Sequence, residues 1–154
     1  MMRTYGTINR RLVIITNEQG AADESLAYMM GFAISISNAL DIVIICDDCS
    51  LRPYLQGKSN AAHALDTIIS TGRNYNFEVT VELYTRSRIL ALKDNINSKK
   101  GLIMVLLSPA LNINKVFDLR KILKEVSVPV WQYRTRDVAP VRGKSRKGGT
   151  TWVR

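Results

Sequence analysis

The chain has 154 residues, 46% hydrophobic and 23% charged, which is the size of one ordinary domain with a real core and excludes a disordered polar chain. Its net charge of +9 is unevenly placed: residues 1–133 hold 15 Lys and Arg against 12 Asp and Glu, and residues 134–154 hold seven basic side chains against Asp137 alone. Two cysteines, and an opening MMRTYGTINRR with no apolar leader, exclude a disulfide-stapled secreted scaffold and predict a cytoplasmic protein.

The first apolar run, Leu12–Thr16 (LVIIT), is short and β-branched, as a parallel strand covered on both faces should be. Asn17 to Asp23 reads as a turn with Asp23 as the helix cap. Leu26, Met29, Met30, Ala33, Ile36 and Leu40 then recur at helical spacing. Glu24, three serines and Asn38 within Glu24–Leu40 argue for a buried helix and against a membrane span. A second strand, Ile42–Cys46, follows, and after a polar loop Ala61, Leu65, Ile68, Ile69 and Gly72 line one helical face.

Phe77–Tyr84 behaves differently, because Val79, Val81 and Leu83 alternate with Glu78, Thr80 and Glu82. One side of such a strand is expected to meet water, which suits a sheet edge. Ser87 is placed to cap a short helix carrying Ile89, Leu92 and Ile96. Leu102–Leu107 is wholly apolar and so central. Val116, Leu119, Ile122, Leu123 and Val126 form the inner face of a last helix, and Val128–Tyr133 closes the series, with Pro129 favouring an edge.

Five strands alternating with helices predict a three-layer α/β/α fold with a parallel sheet. Strands one, two and four are apolar and belong in the middle, which gives the order 3-2-1-4-5 with its switch point between strands one and four. The order 2-1-3-4-5 would bury Glu78 and Glu82 at the centre. Residues 1–134 are expected to form this domain and 135–154 a basic, flexible tail.

Ligands of open α/β sheets bind beyond the carboxyl ends of the strands at the switch point, here Asn17 and Ser108–Asn114. A phosphate cradle needs several convergent backbone N–H groups, usually on glycines. Gly20 stands alone, and 108–115 (SPALNINK) has a proline and no glycine. Asn114 at a helix start and Lys115 offer only a weak pull on an anion. The plainest alternative is an ordinary strand-to-helix turn packed shut.

RRLVIITNEQGAADESLAYMMGFAISISNALDIVIICDD resembles the first βαβ unit of the universal stress protein family. NFEVTVELYTRSRILALKDNINSKKGLIMVLLS and KVFDLRKILKEVSVPVWQYR resemble its later strand, helix and strand steps, so the likeness spans about residues 10–134. ATP-binding members carry a G-x2-G-x9-G-[ST] motif after strand four. This chain departs from it from Ser108 onward, and Asn17 replaces the family's usual aspartate. The resemblance therefore implies a stress-response regulator acting by binding, with no tight ATP site and no resident cofactor. An adenosine-like ligand such as ATP or AMP, held between Asn17, Ile45 and Ser108 by backbone groups, is the alternative. Family members commonly dimerise through the last strand.

Strand five by itself points the same way, since an edge carrying Val128, Val130, Trp131 and Tyr133 would leave a sticky border for a second copy. In the tail, Arg142, Lys144, Arg146 and Lys147 concentrate charge and Trp152 can stack on a base, so the choice lies between a nucleic-acid-binding arm, a solvated end, and an arm ordered by Trp152 packing on a partner subunit. Cys46 and Cys49 end a strand and do not start a helix, which disfavours redox chemistry, and two thiols fall short of a zinc site. Asp47 and Asp48 lack the third acid of a phospho-acceptor, and His63, the only histidine, falls opposite Ala61, Leu65 and Ile68. Nothing in the sequence argues for an enzyme, a metal centre or a membrane contact.

Overall fold

The structure is a computed structural model that describes residues 10–21, 24–46, 66, 69–70, 77–111, 117–134 and 137–140. Strand β1 (Arg11–Asn17) leads through a single helical turn α1 (Glu18–Ala21) to helix α2 (Ser25–Ile36) and strand β2 (Ala39–Cys46). Strand β3 (Glu78–Thr85) is followed by a 3-10 turn (Arg86–Ala91), helix α3 (Leu92–Asn97) and strand β4 (Leu102–Leu107). Helix α4 (Phe117–Leu123), strand β5 (Val130–Arg134) and strand β6 (Asp137–Pro140) complete the described elements. Between β2 and β3, residues 66, 69 and 70 are helical, and the rest of that predicted helix lies outside the described residues.

The five predicted strands form a parallel sheet in the order 3-2-1-4-5, and β6 extends it antiparallel to β5. Alternate residues of the central strands point to opposite faces, and both faces are apolar. Leu12, Ile14, Leu40, Ile42 and Ile44 meet Leu26, Met29, Met30 and Ala33 of α2 on one side. Val13, Ile15, Val43 and Ile45 meet Leu92, Ile96, Leu119, Ile122 and Leu123 on the other. Among the described residues no helix is long and apolar enough to cross a membrane.

Two boundaries differ from the sequence reading. The chain leaves α2 at Ser37, whose backbone is extended and whose hydroxyl donates to the Ala33 carbonyl at 2.6 Å. The Asn38 amide then bonds the Arg10 carbonyl, so Leu40 belongs to β2 and not to the helix. Asp23 lies outside the described residues; Glu24 caps α2 without a side-chain bond.

Strand five is not an edge. β5 pairs with β4 on one side and with β6 on the other, Trp131 to Arg134 standing opposite Pro140 to Asp137. Val130 and Tyr133 are buried, and Val128 and Trp131 pack against the core, so the expected exposed border is covered by the chain itself. Pro129 misled because it precedes the strand, where its missing N–H breaks no ladder bond, and its carbonyl accepts from Val105. Residues 137–140 are accordingly part of the sheet and not of a flexible tail.

Beginning β2 at Ala39 brings Asp41 into the sheet at 2% exposure. Its carboxylate accepts from Arg11 of β1 at 2.8 Å and from the Thr80 hydroxyl of β3, and it faces the Lys99 ammonium at 2.9 Å. Lys99 also bonds Glu82 of β3 at 2.7 Å, and Asn95 donates to the other oxygen of Glu82 at 2.9 Å. Glu82 therefore looks into this cluster beneath α3, not into water as its alternation implied. Burial alone would raise the Asp41 carboxyl; the Thr80 bond, Lys99 and Arg11 outweigh it and hold the group below the ordinary 3.8. Burial opposes the charge of Lys99 too, and the two carboxylates hold it above the ordinary 10.5.

Removing one member of a buried ion cluster strands the others, at a cost of about 3–5 kcal/mol. Asp41→Ala should lose stability of that order in urea unfolding at neutral pH. Because Asp41 titrates lower folded than unfolded, its contribution is complete above 3.8 and fades as pH falls through the folded value. The gap between wild type and variant should narrow in that acid range; a gap constant from pH 7 to pH 3 contradicts the assignment.

Candidate functional site

The carboxyl ends of β1 and β4 meet at the switch point, as the strand order requires. Asn17 is the last residue of β1 and pairs in register with Ile45 of β2. Ser108 directly follows β4 and donates its amide to the Ile15 carbonyl at 2.9 Å. The fold thus gathers Asn17, Ile45 and Ser108 at one end of the sheet. Asn114 and Lys115 lie outside the described residues, as do Asp47, Asp48, Cys49, His63, Arg142, Lys144, Arg146, Lys147 and Trp152.

Each polar group of this trio is already engaged. The Asn17 amide nitrogen donates to the Ala110 carbonyl at 3.0 Å, and its oxygen accepts from the Gly20 amide at 2.7 Å. One side chain therefore closes the α1 turn and ties β1 to the segment after β4. The Ser108 hydroxyl accepts from the Ala110 amide at 3.1 Å, and the Ser108 carbonyl accepts from the Leu111 amide at 3.1 Å. Ser108 and Thr16 are fully buried, and Ile45 belongs to the core beside α3 and α4.

Gly20, which the sequence presents as an isolated glycine, lets the two turns touch. A Cβ at that position would collide with Thr16 Oγ1 and lie 2.7 Å from Ser108 Oγ. Its part is close approach between two backbone turns, with no phosphate required. Thr16 and Ala110 also build this junction and were not singled out from sequence. They come from segments some ninety positions apart, and small residues carry no periodic signal. Cys46 is buried in β2, as expected. Among the described residues no three His, Cys, Asp or Glu side chains converge to hold a metal.

The geometry fastens two strand-to-helix turns to each other. Glu18, partly exposed at the start of α1, is a carboxylate at this end of the sheet with no ion-pair partner among the described residues. The 3-10 turn after β3 presents Arg86, Ser87 and Arg88 to solvent, with the Ser87 and Thr85 hydroxyls 3.0 Å apart.

Two substitutions test this closed junction. Gly20→Ala drives a methyl into buried hydroxyls and should destabilise the fold by about 1–3 kcal/mol, the usual range for overpacking. Asn17→Ala leaves the Gly20 amide and the Ala110 carbonyl without partners and should cost a similar amount, roughly 1–3 kcal/mol. Thermal unfolding that leaves both variants at the wild-type midpoint contradicts the junction.

In comparisons with known proteins, no protein-family model, no curated protein and no solved structure matches this chain significantly.

Proposed function

We propose that the chain is a universal-stress-protein-like regulatory domain that acts in the cytoplasm by binding and does not hold ATP tightly. The observation that carries this reading is the Asn17 bridge to Ala110 and Gly20, with the Ser108-centred turn beside it. A triphosphate needs free backbone donors at the end of strand four. The amides of Gly20, Ala110 and Leu111 are spent on Asn17 and Ser108. The strand order 3-2-1-4-5 and the resemblance over residues 10–134 support the family comparison at the level of architecture.

A second reading rests on charge. Residues 134–154 carry seven basic side chains and Asp137, with Trp152 near the end, a composition suited to phosphates and an unpaired base. This arm would act on nucleic acid independently of the switch point.

Titration calorimetry with ATP, AMP and cyclic AMP should show no micromolar binding; such binding by any of them overturns the first reading. For the second, a gel-shift series on single-stranded nucleic acid at rising salt should give a log–log slope of roughly −3 to −4.5, from four or five phosphate contacts. Neutralising Arg142, Lys144, Arg146 and Lys147 together to glutamine should flatten that slope. Equal affinity of the two proteins removes the tail from the mechanism.

A further inference from the structure

With β5 covered, the sheet has two borders, β3 and β6, and they differ in every respect that governs edge pairing. β6 is four residues long and ends in Pro140, which cannot donate to a new ladder. β3 is eight residues long, contains no proline, and pairs with β2 in unbroken register from Glu78 to Thr85. No described strand covers its outer side. Natural edges of this length are normally guarded by lysine, proline or a bulge. The strand itself has none of these, and its inner charge, Glu82, is neutralised by Lys99.

The two ends of this edge carry opposite exposed charges. Glu78 opens the strand and Arg86 follows its last residue, and neither has an ion-pair partner among the described residues. Antiparallel pairing about a two-fold axis sets the start of one copy beside the end of the other. Centred on Val81, it places Val79 opposite the second copy's Leu83 on one face. On the other face it places Glu78 opposite Tyr84, near the end of the second copy's strand, and Arg86 opens the turn directly beyond that end, so its long side chain comes near Glu78. We infer that β3 is a self-association edge: two copies of this chain join β3 to β3 antiparallel, locked at both ends by Glu78 and Arg86. The local attraction acts at contact distance, whereas the net charge of +9 acts over longer range and is screened by salt. This inference is independent of what the switch point binds.

Sedimentation of the full chain over rising concentration tests it. Wild type should pass from monomer to dimer below about 100 µM. Glu78→Lys and Arg86→Glu each alter an exposed side chain, and each should weaken the dimer by roughly tenfold, since every reversal acts twice across the axis. The double variant restores both pairs with their signs exchanged and should recover the wild-type affinity. A wild type that remains monomeric, single variants that dimerise as well as wild type, or a double variant no tighter than the singles each overturns the inference.

Discussion

One buried carboxylate, Asp41, holds the amino ends of the sheet together. It lies in β2 between apolar neighbours, where an unpaired charge would be prohibitive, and it is tolerated because three elements bring donors to it. Arg11 comes from β1, Thr80 from β3, and Lys99 from the loop between α3 and β4. Lys99 reaches on to Glu82, so the cluster joins the edge strand both to the sheet and to the crossing connection. The position of β3, and hence what the edge offers to solvent, follows from this arrangement.

The opposite end of the sheet is closed by neutral groups. Asn17 and Ser108 bind main-chain atoms of the two turns that flank the switch point, and Gly20 allows those turns to meet. The two ends differ: ion pairs align the strands at the first, and amide and hydroxyl groups tie the two turns together at the second. Apart from this junction, two features of the chain stand out. These are the long β3 border with its two opposite charges and the basic segment beyond the sheet.

The covering of β5 by β6 moves the border of the sheet away from β5. An antiparallel return of a few residues is enough to satisfy the outer backbone groups of β5 and to bury Tyr133. β3 receives no such strand among the described residues, and it is the longer and more continuous of the two borders.

Strand order was legible because burial leaves a compositional mark: LVIIT, IVIIC and LIMVLL can only be central, and the alternation of Glu78, Thr80 and Glu82 marks an outer strand. The position of Asn17 and Ser108 at the switch point followed from that order. What they do there did not, because a hydrogen bond from Asn17 to Ala110 joins residues far apart in the chain and depends on side-chain rotamers. The role of Asp41 was hidden behind a misplaced strand start, and its partners come from three separate segments. β6 was hidden because DVAP has too few residues to show a period. By itself the sequence determined which strands are buried, since solvent exclusion acts on each segment's own composition; the tertiary structure alone decided which polar groups meet, since pairing is a property of positions in space.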